Sequence, residues 1–379
     1  METNVFPMLT GSFQVGITHE EFWFEEREPA RLPVTIFYPA DVKKDGVKEK
    51  YAFKEAVYGL PISEMNTAFF TDAPAAGEKE KYPVIIFNHG YGSYEMSGSV
   101  LCGELASRGY IVASLGHTRE ATAVKFKDGT VILMDERLKA ETHEPGKEAR
   151  LLEILKEIKA TPDCDENEEF FIEKGKEFRD IHEKNERMAV WTERIKKALD
   201  YLEAYNSLDG KILAGRMNLE RGAALMGHSF GGAAAAPACR EDDRFCCGIN
   251  IDGADLEYDY GKDIGKPFMT IGTPVTTKLL RGIYNSNQAD TYRVSVGNVE
   301  HMGFTDLAFF PETAAALKIP LGERRAEDTL KILVKYLDLF LKKYLLGEET
   351  AEEEAGVKET EIKETEMEDV VLCCRKGVR

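Results

Sequence analysis

Short apolar runs of strand length recur along the chain. Pro83-Val84-Ile85-Ile86-Phe87, Tyr110-Ile111-Val112-Ala113-Ser114-Leu115, Ala223-Ala224-Leu225-Met226, Cys246-Cys247-Gly248-Ile249-Asn250-Ile251 and Pro267-Phe268-Met269-Thr270-Ile271 carry little or no polar alternation, and Tyr292-Arg293-Val294-Ser295-Val296 is a further run with polar residues at alternate positions. Such runs suit strands covered on both faces, as in a parallel sheet. Nearer the N-terminus, Phe13, Val15 and Ile17 alternate with polar or small residues, and Leu32 to Tyr38 is a second β-type run. Between the runs lie helical patterns. Glu95 to Ser107 is helix-forming and joins two apolar runs, which makes a strand–helix–strand unit. Met188, Trp191, Ile195, Leu199 and Leu202 form one apolar helical stripe, and Leu330, Leu333, Val334, Leu337 and Leu341 form another within 324–346. The pattern predicts an α/β architecture with a mostly parallel central sheet, flanking helices and Tyr292 to Val296 as its last strand.

Other stretches read differently. Residues 41–82 are charged and irregular, a surface excursion in which Ala68-Phe69-Phe70 is expected to reach the core. Thr122 to Met134 reads as a hairpin around Asp128-Gly129. Residues 136–180 are charge-rich and helix-forming, and read as a helical cap insertion or as solvated helices. From Gly347 to Arg379 the chain holds 11 acidic and 5 basic residues, with little to bury, which predicts disorder. The expected organisation is one domain over 1–346 with an insertion over 136–180, followed by an acidic tail over 347–379.

Composition narrows the function. A net charge of −18 repels phosphate backbones, so nucleic acid is not an expected partner. No stretch of about 18 apolar residues suggests a membrane span. The seven cysteines show no zinc-knuckle spacing, and two pairs are adjacent, Cys246-Cys247 and Cys373-Cys374. Reduced thiols in a cytoplasmic protein are the expectation, or a secreted protein whose signal peptide has been trimmed. No metal or cofactor is expected.

The chemistry centres on Gly227-His228-Ser229-Phe230-Gly231-Gly232, between the apolar run Ala223 to Met226 and the small-residue run Ala233 to Ala236. Strand, Gly-x-Ser-x-Gly, helix is the nucleophile-elbow order of the α/β-hydrolase fold. A serine hydroxyl needs a base, and the base needs an orienting carboxylate. In that fold the chain order is serine, acid, histidine. One histidine follows Ser229: His301, past the last apolar run. Asp252, at the end of the next run, is the favoured acid, with Asp255 as fallback and a simple Asp-Gly turn as the competing reading. The following run ends in Gly272-Thr273-Pro274 and offers no carboxylate before Asp290. The backbone N–H of Phe230 is the first candidate oxyanion donor, and that of Tyr91, within His89-Gly90-Tyr91-Gly92, is the second.

These residues resemble the platelet-activating-factor acetylhydrolase family of the plasma and intracellular type II sort. The matching stretches are Tyr82 to Gly92, Leu105 to Val112, Gly227 to Ala233, Gly248 to Asp252 and His301 to Asp306. The resemblance covers roughly residues 10–345, and the acid on the strand after the nucleophile helix is its most specific point. It implies a triad of Ser229, Asp252 and His301 and oxyanion donors at Phe230 and Tyr91. It also implies calcium-independent hydrolysis of short or oxidised acyl esters at the second position of phospholipids. Two alternatives stand beside it: a carboxylesterase or polyester-type hydrolase acting on soluble short-chain esters, and a non-catalytic binding protein on a hydrolase scaffold. The 136–180 insertion and the tail depart from the family pattern, and the insertion is too charged to lie apolar side down in lipid.

Overall fold

The computed structural model describes residues 6–25, 28–57, 59–140, 145–348, 363–364 and 369–377. The N-terminal strands are β1 (Gln14–Phe24), β2 (Ala30–Ala40), β3 (Lys48–Lys50) and β4 (Asn66–Thr71). Two central strands follow, β5 (Tyr82–Asn88) and β6 (Ile111–Leu115), then the hairpin β7 (Ala123–Lys125) and β8 (Val131–Leu133). The short β9 (Met217–Asn218) precedes β10 (Ala223–His228), β11 (Phe245–Ile251), β12 (Phe268–Gly272) and β13 (Thr291–Val296). Two more strands, β14 (Lys363–Glu364) and β15 (Val370–Arg375), close the described chain.

The sheet runs β14-β15-β13-β12-β11-β10-β5-β6-β2-β1-β4-β3. β6, β5 and β10 to β13 are mutually parallel, and β2 joins β6 antiparallel. Side chains alternate between its faces. Val84 and Ile86 enter one cluster, while Ile85 and Phe87 enter the other. Both faces are covered, so these strands read as continuous apolar runs.

One face carries α1 (Ser99–Ser107) and the other α5 (Asn185–Asn206) and α6 (Phe230–Glu241); α10 (Ala326–Leu341) lies with α1. Between α1 and α5 come α2 (Glu136–Ala140), α3 (Pro145–Ala160) and α4 (Glu168–His182). After α6 come α7 (Pro274–Leu279), α8 (Arg281–Ser286) and α9 (Pro311–Ala316). The α5 stripe is core as expected, with Trp191, Ile195, Leu199 and Leu202 fully buried.

Helices α3 and α4 form a roof over the strand ends. α3 packs on α4, and both pack on α7 through a seam of Ile154, Ile158, Phe171 and Leu279. The link between α3 and α4 is anchored to the sheet side. The Asp163 carboxylate accepts from Arg281 at 2.6 Å and from Arg293 at 2.9 Å. Both guanidinium groups are buried, with side chains only 6% exposed. Lys278 donates to the carbonyls of Ile158 and Thr161 at 3.2 and 2.7 Å, closing the C-terminus of α3. Asp163→Ala takes this carboxylate from the buried Arg293 and leaves Arg281 with the exposed Asp165 at 3.4 Å. Because Asp163 is itself partly exposed, the expected loss is about 2 kcal/mol, below the ~3–5 kcal/mol of a fully buried pair. Denaturant titration checks it. No loss would mean that the roof is held by its apolar seam alone.

Three expectations are corrected. The 41–82 excursion is partly sheet, since β4 pairs with β1 in parallel, while Phe69 reaches the core as expected. Tyr292 to Val296 is not the final strand. Within the tail, Val370–Arg375 pairs antiparallel with β13, from Thr291 opposite Arg375 to Val296 opposite Val370. Val370 and Leu372 point into the core. The net charge of the whole tail hides a short apolar run with strand alternation. Residues 349–362, 365–368 and 378–379 of the expected disordered tail lie outside the described residues.

Candidate active site

β10 delivers Ser229 at φ 55° and ψ −124°, a left-handed backbone position between strand and helix. That conformation is strained for a side-chain-bearing residue and is typical of functional turns. It is held by close packing. A Cβ on Gly231 would collide with the carbonyl oxygens of Asn88 and His89, so only glycine lets α6 start against the loop after β5. The same loop comes up to the serine: a Cβ placed on Gly90 would stand 3.1 Å from Ser229 Cβ and 3.6 Å from its Oγ.

The structure brings the three sequence-predicted side chains together. His301 Nε2 is 2.9 Å from Ser229 Oγ, and His301 Nδ1 is 2.6 Å from Asp252 Oδ2. Asp252 is buried at the end of β11, also in a left-handed conformation, φ 53°, which aspartate tolerates better than most residues. Asn250 shapes that turn, accepting from Gly253 N–H at 2.8 Å and donating to Gly253 O at 3.0 Å. The second Asp252 oxygen accepts from Thr273 N–H at 2.7 Å. Burial pushes the Asp252 carboxyl up, but the hydrogen bond and charge of His301, with the Thr273 amide, outweigh it and hold the group below its ordinary value. The His301 side chain is 46% exposed, so a substrate reaches it.

Asp255, the fallback acid, is not in this chain. It accepts from the N–H groups of Glu257 and Gly261, at 3.2 and 2.7 Å, and shapes its own loop. Phe230 is the first residue of α6, and its ring packs on that of Tyr91 with centroids 5.3 Å apart. Leu307, Phe309 and Phe310 do not line the cavity over the serine, and Phe310 is core.

Spacing did not reveal several supporting groups. His228 Nε2–H donates to the His301 carbonyl at 3.1 Å, with ring centroids 4.6 Å apart. Burial, and then the neighbouring His301, holds His228 well below the ordinary imidazole range, so it is a neutral strut. Asp306 accepts from Ser99 N–H, Ser99 Oγ and Val100 N–H at 2.9, 2.6 and 3.0 Å. It thus caps α1 from the histidine loop, a long-range N-cap that no local pattern shows. Thr273 caps α7 through Thr276 N–H at 3.2 Å, and here the Thr-Pro pair was a readable signal. Among all seven cysteines, every thiol is free.

The loop from β5 to α1 carries an unusual group. Glu95 is buried, and its Oε2 has no hydrogen-bond partner among the described residues. Burial pushes its carboxyl up to about 7. The folded state therefore holds a proton that the unfolded chain releases near pH 4.5. This contribution to stability is full below that pH and is lost as pH rises towards about 7. Glu95→Gln is expected to flatten the fall in stability between those limits. Chemical denaturation across pH checks it, and an unchanged slope would contradict it.

A cavity of 1210 Å³ opens over the serine. Its floor includes Ser229, Phe230 and His301, and its roof comes from α3, the end of α4 and the start of α5. Tyr91 and Gly92 form one wall and Thr273 to Thr276 another.

A mostly parallel sheet with a strained serine at a strand-to-helix turn and a serine–histidine–aspartate chain across its strand ends defines an α/β-hydrolase. The family model described as "Platelet-activating factor acetylhydrolase, isoform II" matches residues 1–363, and the chain belongs to that family. Similar proteins include the platelet-activating factor acetylhydrolase of Cavia porcellus, 27% identical over 282 residues, which are 70% of this chain and 58% of that protein. That of Canis lupus familiaris is 27% identical over 332 residues, 80% of this chain and 68% of the relative. The chain thus spans little more than half to two thirds of these relatives. Among solved structures, a ferulic acid esterase from Streptomyces cinnamoneus shares the fold, with a TM-score of 0.65 at 19% identity over 90% of this chain and 93% of that one. Among the described residues, no helix is long and apolar enough to cross a membrane.

Proposed function

We propose that this chain is a serine ester hydrolase of short acyl groups, with the ester at the second position of phospholipids as its substrate class. The observation that carries the proposal is the hydrogen-bonded chain from Ser229 through His301 to Asp252 beneath a covered cavity. Family membership supports the substrate class.

In this reading His301 Nε2 takes the Ser229 proton as Oγ bonds to the ester carbonyl carbon. The carbonyl electron pair moves onto oxygen, and the Phe230 and Tyr91 amides hold the oxyanion. When the C–O bond to the alcohol breaks, His301 gives its proton to the leaving oxygen. Water then repeats the sequence on the acyl-serine, releasing the acid and free Ser229. Asp252 keeps the proton on Nδ1 and stabilises the imidazolium formed in each half.

The test is a pair of assays in the presence of a chelator, one with an aryl acetate and one with a phospholipid acetylated at its second position. Hydrolysis of both, with fluorophosphonate labelling of Ser229, is expected. Hydrolysis of the aryl ester alone would discard the phospholipid. Neither hydrolysis nor labelling would leave a binding scaffold.

A further inference from the structure

His301 depends on its loop for its place. Its side chain is nearly half exposed, so packing alone does not fix the ring. The loop leaves β13 at Val296 and passes through Asn298, which holds a left-handed backbone, φ 59°. Asn298, Val299 and Glu300 also line the cavity. One side of the loop is gripped by the chain ahead of α10. The Asn298 carbonyl accepts from the N–H groups of Glu323 and Arg324 at 2.9 and 2.7 Å, and Glu300 N–H donates to the Leu321 carbonyl at 3.0 Å.

The other side is gripped by the tail. Gly297 N–H donates to the Asp369 carbonyl at 2.8 Å, and the Asn298 side-chain amide donates to Asp369 Oδ2 at 2.6 Å. Asp369 is itself left-handed, φ 64°, and leads straight into β15. That strand is anchored along its length. Val370 and Leu372 sink into the core beside β13. Arg375 donates to the carbonyls of Tyr284 and Asn287, at 3.2 and 2.8 Å, where α8 ends with carbonyls that lack helical partners. Gly377 N–H donates to Asp290 Oδ1 at 2.8 Å. Asp369 is thus a fixed point for the loop it holds. β15 lies past residue 363, where the family match ends, so this grip is additional to the sequence that assigns the chain to its family.

We propose that β15 is a strap on the histidine loop, with Asp369 as a positioning residue for His301. Asp369 sets Gly297 and Asn298, and through them the reach of His301 Nε2 to Ser229 Oγ. This deepens the ester-hydrolase reading and rests on it. A misplaced imidazole weakens proton transfer and leaves substrate binding alone, so the effect falls on kcat and not on KM.

The test is a series of substitutions at Asp369 in the full chain. The position is exposed, so the fold tolerates them. Asparagine keeps the left-handed backbone and an acceptor for Asn298. Glycine keeps the backbone alone, and β-branched valine keeps neither. The readout is hydrolysis of 4-nitrophenyl acetate below the thermal transition. A displacement of about 1 Å can cost roughly 100-fold, and these variants are expected to lose part of that. In Asp369→Asn kcat is expected within about twofold of the parent, in Asp369→Gly about threefold lower, and in Asp369→Val about tenfold lower, with KM unchanged. Equal losses in Asp369→Asn and Asp369→Val would overturn the proposal. So would a lowered thermal midpoint with kcat intact, which makes the strap a brace for stability only. Hydrogen exchange over residues 297–301 gives a reading without turnover. Faster exchange in Asp369→Val is expected, and unchanged exchange would overturn the proposal. Turnover of the acetate by the parent reports separately on the hydrolase reading, and if no ester turns over, exchange still decides.

Discussion

Ser229→Ala is expected to lower kcat/KM for aryl acetates by about 10^6-fold while leaving the thermal midpoint within a few degrees. The size follows from what is removed. Without Oγ there is no nucleophile for His301 to activate, and the histidine and aspartate lose their purpose as a unit. What remains is oxyanion stabilisation and substrate positioning. The fold has no reason to fail. Alanine keeps the Cβ that the elbow already accommodates, and Oγ's hydrogen-bond partner, His301, is itself nearly half exposed. Steady-state kinetics with circular dichroism of the same samples checks both halves. A variant that keeps more than about 1% of activity would place the nucleophile elsewhere.

Asp252→Asn is the second large effect, about 10^4-fold in kcat with little change in KM. Both carboxylate oxygens of Asp252 accept hydrogen bonds, one from His301 Nδ1 and one from Thr273 N–H. An amide has a single acceptor oxygen. If that oxygen keeps the Thr273 bond, the NH2 faces Nδ1 and forces the proton onto Nε2, the nitrogen that must receive the serine proton. If the amide turns over, its NH2 confronts the Thr273 N–H. Asparagine tolerates the left-handed backbone at this position, so the loss is chemical and not a failure to fold. Asp255→Asn is the control and is expected to cost less than tenfold, because among the described residues that carboxylate bonds only its own loop amides. Reversed magnitudes would exchange the two assignments.

Much of this arrangement was legible in the sequence, for definite reasons. Strands buried on two faces must be apolar throughout, so Val84 to Phe87 and Ala223 to Met226 announce central strands. The elbow needs glycines where backbones cross, which made Gly231 informative. A single histidine after the serine left His301 without a rival. Other features depend on partners far along the chain. The tail strand was lost because eleven acidic residues outweigh Val370 and Leu372 in any average over that stretch. The Asp306 cap on α1 joins residues 207 apart, beyond any local pattern. The cavity lining is scattered between Tyr91 and Glu323, and only the folding of the roof over β10 and β11 gathers it.

The distances along the chain have a consequence in time. His301 lies 72 residues from Ser229 and 49 from Asp252, and the loop around Gly90 comes from another stretch again. Closing such long loops makes strand pairing slow compared with local helix formation. During refolding from denaturant, α5 and α10 will regain ellipticity well before any ester is cleaved. On the proposed activity, hydrolysis becomes a clock for the last event, the meeting of β10, β11 and the segment beyond β13. The interval between the two signals measures how long the protein spends folded in its parts and inert as a whole.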